Sequence, residues 1–134
     1  MLDFTGINWL AVLVSTVAAF LLGGVWYGPL FGKAWLRAVG KKEEDLGSPA
    51  APMALSVVTS AATCIVLAGL LNLFPAPDVV DGIVLGLLVG VGFIATGMAS
   101  DYAFCGWPRA LFVIQAGYRV TYSLIMGVVL AAWR

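Results

Sequence analysis

The chain has 134 residues, 62% apolar and only 10% charged, with no net charge and no His; a soluble domain carries about a quarter charged residues, and a chain this short cannot hide so much apolar surface in a soluble core, so the bilayer is the expected solvent. Zero net charge without a basic run excludes nucleic acid as a partner. The lack of His removes the commonest general base, metal ligand and axial haem ligand, and Cys64 and Cys105, expected at different membrane depths, offer neither a metal spacing nor a disulfide, so no metal and no cofactor is expected.

Residues 1–8 contain Asp3 and no basic residue, and the apolar run after them is longer than a signal core, so it is expected to stay as a transmembrane helix. That helix is predicted over Trp9–Tyr27, a rise of about 28 Å that nearly matches the hydrocarbon thickness. Trp9 and the Trp26-Tyr27 pair are expected to mark its two interfaces. Ala11, Ser15, Ala19 and Gly23 recur every four residues and form a small-residue stripe that admits a close neighbour. Pro29 is expected to break the run. LFGKAWLRAVGKK then places Leu30, Phe31, Trp35 and Val39 opposite Lys33, Arg37 and Lys41, the pattern of a short interfacial helix. It serves either as a contact for anionic lipid or simply as a topology anchor. Glu43 to Pro49 reads as a solvated loop.

A second span is predicted over Met53–Phe74, with Ser56, Ser60, Cys64, Ala68 and Asn72 on one small, mildly polar face. Cys64 there is expected to be a small packing residue. Pro75 to Asp78 form a turn. The third span, Val79–Ser100, carries Gly82, Gly86, Gly90 and Gly97 near one face, with Asp101 continuing it. In water each such glycine would weaken a helix by roughly 1 kcal/mol; in a membrane the row suits a packing groove, or a ligand or water path along bare backbone. Asp101 to Arg109 is expected to be an aromatic turn, and Pro108 suits the start of the fourth span.

The fourth span, Ala110–Trp133, carries Arg119 inside it, with Gln115, Ser123, Gly127 and Ala131 in register every four residues and Tyr118 and Tyr122 flanking. Arginine near mid-bilayer costs about 2.5–3.5 kcal/mol on insertion scales. None of the seven acids falls at its depth; Asp101 is the best placed, if it dips while Arg119 snorkels toward it. Arg119 is therefore either a structural tie to Asp101, Gln115, tyrosine hydroxyls or backbone carbonyls, or a site for an anion or polar head group, or part of a site shared between two copies. No motif couples a nucleophile to a base, so no catalytic residue is assigned. Lys33, Arg37, Lys41, Lys42 and Arg109 fall on one side of the membrane and Arg134 on the other, which predicts a cytoplasmic basic side and both termini outside.

The segments NWLAVLV (Asn8–Val14), GxxWYGPLFGKAW (Gly23–Trp35), GYR (Gly117–Arg119) and MGVVLAAW (Met126–Trp133) resemble a family of small bacterial membrane proteins known as domain of unknown function seventeen-sixty-one, over almost the whole chain. The resemblance implies four membrane helices and no established activity. Small multidrug exporters use a glutamate in helix one, which has no acid here. Dual-topology fluoride channels are disfavoured by the one-sided basic bias.

The expectation is an all-α membrane protein of the bacterial inner membrane: one domain, a four-transmembrane-helix bundle with a short interfacial helix after helix one, in contact with membrane lipid and forming a homo-oligomer. Its leading function is a small transporter or channel-like binder of a polar or anionic ligand, with Gln115, Tyr118, Arg119, Tyr122 and Ser123 as the binding face and Asn8 and Asn72 at the opposite mouth. The alternative is a structural or regulatory subunit docked on a partner membrane protein; an enzyme acting on lipid comes third.

Overall fold

Five helices and no strands account for the chain in a computed structural model that describes residues 1–134. Four of them, α1 (Trp9–Leu30), α3 (Ala50–Leu71), α4 (Val79–Cys105) and α5 (Arg109–Ala132), are long and apolar enough to cross a membrane; this is the build of a multi-pass membrane protein. The short α2 (Gly32–Val39) follows α1. Lys33 and Arg37 are exposed on it while Trp35, Leu36 and Val39 are half-buried, as expected of an amphipathic helix after the first span.

The boundaries move where local chemistry overrides the apolar run. Asn8 caps α1 by accepting from the Ala11 N–H at 3.1 Å. Pro29 does not stop this helix. Its last turn, Trp26–Leu30, widens into a π-turn closed by Phe31 N–H donating to the Trp26 carbonyl at 2.8 Å, which accommodates a residue with no N–H to give. The chain then doubles back: a Cβ on Gly32 would lie 2.7 Å from the Tyr27 carbonyl oxygen, so only glycine fits there. α3 begins at Ala50, ahead of the expected Met53, with Pro49 at its cap and Pro52 in its first turn, and ends at Leu71 rather than Phe74. α4 opens on a reciprocal Asp78–Asp81 capping box. It runs on through the expected Asp101–Cys105 turn until Gly106, in the left-handed region, stops it.

α5 is the central helix and packs against every other one. α1 lies antiparallel to it: Asn8 Nδ2 donates to the Trp133 carbonyl (3.1 Å) at one end and Trp26 Nε1 to the Ile114 carbonyl (2.9 Å) at the other. α4 crosses α5 backbone to backbone. A Cβ on Gly82 would strike the Gly127 carbonyl, one on Gly86 would lie 2.6 Å from the Ser123 carbonyl oxygen, and one on Gly90 3.0 Å from Val120 Cα. Gly97 leaves this row. It is exposed, with open space where a side chain would go. The reason is a π-segment, Leu88–Ala95, inside α4: wider turns rotate less per residue, so Gly97 is swung off the face that Gly90 occupies.

α3 is attached differently. From Ser60 onward it buries Ser60, Cys64, Leu67, Ala68, Gly69 and Leu71, with Cys64 fully buried under α1. Every residue from Ala50 to Thr59 is exposed. α3 therefore closes the bundle only at the end where the termini lie. At the opposite end, which carries α2 and the Gly106–Pro108 turn, it leaves the bundle open.

Candidate functional site

That opening is a cleft of about 360 Å³ between α1, α3 and α5, roofed by Trp35 of α2. α5 supplies Gln115, Tyr118, Arg119 and Tyr122; α1 supplies Tyr27; Pro52, Met53, Ser56 and Thr59 of α3 form the far wall, with Pro49 at its rim. The four α5 residues arrive together because positions three and four apart share a helix face. Arg119 lies ten residues beyond Arg109, the start of α5, so about 15 Å along the helix.

An aromatic cluster gives the site its shape. Tyr118 is its hub, with ring centroids 5.4 Å from Tyr27, 5.1 Å from Tyr122 and 6.4 Å from Trp26. The Tyr118 hydroxyl donates to the Ala19 carbonyl at 2.8 Å, and Gly23 leaves room for it, since a Cβ there would come within 3.1 Å of that oxygen. Trp35 meets Tyr27 edge-on at 6.2 Å. Gln115 is oriented from α4, its Nε2 donating to the Tyr102 hydroxyl at 2.7 Å.

Arg119 is half-buried among these groups, and no wall residue is acidic. It shares the cleft wall with Tyr27, Tyr118 and Tyr122. Asp101 is not its counter-charge: it is exposed and outside the cleft. Because α4 stays helical through Cys105, the buried neighbour Tyr102, not Asp101, is the residue turned toward α5. The arginine that does hydrogen-bond within the chain is Arg134, whose Nη2 donates to Asn72 Oδ1 at 2.9 Å. A charged-capable wall with hydroxyls, an amide and no anion can accept a carboxylate, a phosphate or another strong acceptor.

A family profile described as "Protein of unknown function (DUF1761)" matches residues 10–131. The chain belongs to this family. No curated protein and no solved structure matches it. The DUF1761 match spans every wall residue of the cleft, from Tyr27 to Tyr122.

Gln115, Tyr118, Arg119 and Tyr122 thus come together in this DUF1761 chain as their spacing implied. Ser123 does not join them: it is fully buried against Gly86 and Gly90 of α4, its Oγ without a partner. Asn8 and Asn72 line a separate cavity of about 150 Å³ at the termini end. There Asn72 Nδ2 donates to the Asp3 and Thr5 carbonyls at 3.1 and 3.2 Å, so the amides tie the termini down. Trp26 and Tyr27, expected as interface markers, are half-buried and turned inward. Sequence reasoning missed Tyr27, Trp35, Ser56, Thr59 and Tyr102. The tyrosine at the end of the α1 small-residue stripe and the serine opening the α3 stripe were the available signals.

Proposed function

We propose that the Arg119 cleft binds an anionic or polar group and that the protein is a small transporter or channel-like binding protein. The observation that carries this reading is an arginine inside a membrane span, on the wall of a cleft with no acidic residue in it. Such a residue marks a functional site by default, because its cost must be met by a partner. Tyr27, Tyr122 and Gln115 would orient the bound group and Arg119 would supply charge. The basic bias of the α2 end argues for that end being cytoplasmic, with both termini outside, in a bacterial inner membrane.

The test is titration of inorganic phosphate and of acetate into the detergent-purified protein and into Arg119→Gln, by calorimetry and by thermal shift. Binding that disappears in Arg119→Gln supports the reading. If Arg119→Gln binds as wild type does and melts lower, Arg119 is structural. A second reading, docking of another membrane helix from a second copy or a partner protein, is favoured by Gly92 and Gly97, whose open faces adjoin the exposed Val91 and Phe93 of α4. Cross-linking from a cysteine at Gly97 distinguishes a homo-oligomer from a monomer.

A further inference from the structure

The cleft does not end at its polar wall. Tyr27, Pro52, Met53, Ser56 and Tyr118 also border an adjoining trough of about 350 Å³, which continues between α1 and α3 along Phe20, Gly23, Gly24 and Gly28. The trough contains no charged side chain, whereas the cleft holds Arg119 and Gln115. Both open sideways, because α3 is exposed over Ala50–Thr59 and leaves the flank of α1 uncovered there. Gly24 and Gly28 have open space where a side chain would stand, so the floor of the trough is bare helix. A polar, cationic pocket joined edge to edge with an apolar trough, both reached from the side of the bundle, has the polarity profile of an amphiphile rather than of a free ion.

Building on the binding role proposed for this cleft, we infer that its ligand is an anionic phospholipid. It enters laterally between α1 and α3, with its phosphate against Arg119 and one acyl chain along Phe20, Gly24 and Met53. Arg119 provides a planar donor set suited to phosphate oxygens, and its long stem, lying along the cleft wall, lets the guanidinium reach toward the rim. The tyrosine hydroxyls of Tyr27 and Tyr122 serve the glycerol and ester oxygens. A zwitterionic lipid would bring its own cation into a wall that has no acid to receive it, which gives the site its preference.

The experiment is native mass spectrometry of the purified protein from detergent micelles containing equal amounts of phosphatidylglycerol and phosphatidylcholine, beside inorganic phosphate titration of the same samples. Wild type should retain phosphatidylglycerol with about tenfold preference, the scale of one charge-assisted contact. Arg119→Gln should lose the preference. Gly24→Leu, which fills the trough where nothing else stands, should lose lipid retention and keep phosphate binding. Equal retention of the two lipids, or a Gly24→Leu protein that holds lipid as wild type does, overturns the inference. Phosphate binding that needs Arg119 without any lipid preference also overturns it, yet leaves the Arg119 site standing; absence of both overturns the two together. A photoactivatable phosphatidylglycerol gives an independent reading in wild type: adducts concentrated on Phe20–Gly24 and Met53–Ser56 support the inference. Adducts spread evenly over exposed helix faces, or replaced by a cross-link to a second copy, refute it.

Discussion

Gly86→Ala and Gly97→Ala make a matched pair, since both glycines belong to the row that spacing places on one face of α4. A Cβ at Gly86 would lie 2.6 Å from the Ser123 carbonyl oxygen and 2.9 Å from Leu124 Cα, where ordinary contact begins at 3.4 Å. Both obstacles are backbone, so no side chain can swing away, and α4 must part from α5 by about 0.8 Å along this crossing. Overpacking of this kind costs about 1–3 kcal/mol, and a rigid obstacle places it at the upper end. Alanine recovers roughly 1 kcal/mol of helix propensity, so the net loss is about 1–2 kcal/mol. At Gly97 nothing lies within 4 Å, so the propensity gain stands alone and the protein should become more stable by about 0.5–1 kcal/mol. Thermal unfolding of both variants in a detergent that keeps the protein monomeric reads the two signs. Equal destabilisation of both would refute the rotation of α4 by its π-segment; a neutral Gly86→Ala would refute the close crossing.

Tyr118→Phe removes the hydroxyl bond to the Ala19 carbonyl and should lower stability by about 0.5–1.5 kcal/mol, measured as a drop in melting temperature with the tryptophan fluorescence of the Trp26 cluster as probe. In delipidated, phosphate-free detergent solution Arg119→Gln should melt at or above the wild-type temperature, because no intramolecular ion pair is lost from the cleft and an unfavourable charge is relieved; a lower melting temperature there, with no ligand to stabilise the wild type, would return Arg119 to a structural role. Asn72→Ala removes the partner of Arg134 Nη2 and of the Asp3 and Thr5 carbonyls, and faster amide exchange over residues 3–8 with unchanged phosphate binding is the expected result. The hydroxyl and N–H of Thr5 hold the Asp3 carboxyl below its usual pKa. A depressed folded pKa means that this turn is favoured above the ordinary carboxylate range and lost as pH falls through the lowered value, which a titration of the Thr5 amide shift would follow.

What the sequence made legible was whatever a single helix determines. Four apolar runs gave four spans, and the four-residue register of α5 placed Gln115, Tyr118, Arg119 and Tyr122 together. The small stripes of α1 and α3 found their burial in Ala11, Ser15, Ala19, Cys64 and Ala68. What it could not show depends on how helices stand relative to one another. A π-turn leaves no compositional trace, so neither the swing of Gly97 nor the inward turn of Trp26 and Tyr27 was readable. Ser123 has the same register as Arg119 but a different neighbour. One stripe serves two partners, its deeper part meeting the α4 glycines and its upper part the cleft. Trp35 reaches the cleft because the chain doubles back at Gly32, while the membership of Ser56 and Thr59 follows from the angle at which α3 leaves the bundle, and no residue of α3 states that angle.

That angle and the charge of Arg119 account for each other. α5 is covered by α1 and α4 along its flanks and by α3 only beyond Ser60, so the part of α5 left without a helix over it is the part that carries Arg119. Were residues 50–59 packed down as tightly as 60–71, the guanidinium would be enclosed by Met53, Pro52 and aromatic rings with no carboxylate to neutralise it, and burying an unpaired charge costs far more than the apolar contact regained. An arginine without a partner therefore needs an open wall, and an open wall exposes the trough along Gly24 and Gly28 to whatever the membrane supplies. A sealed cleft would require an acid at the position of Ser56 or Thr59; the hydroxyls found there carry no negative charge, so the wall around Arg119 stays open.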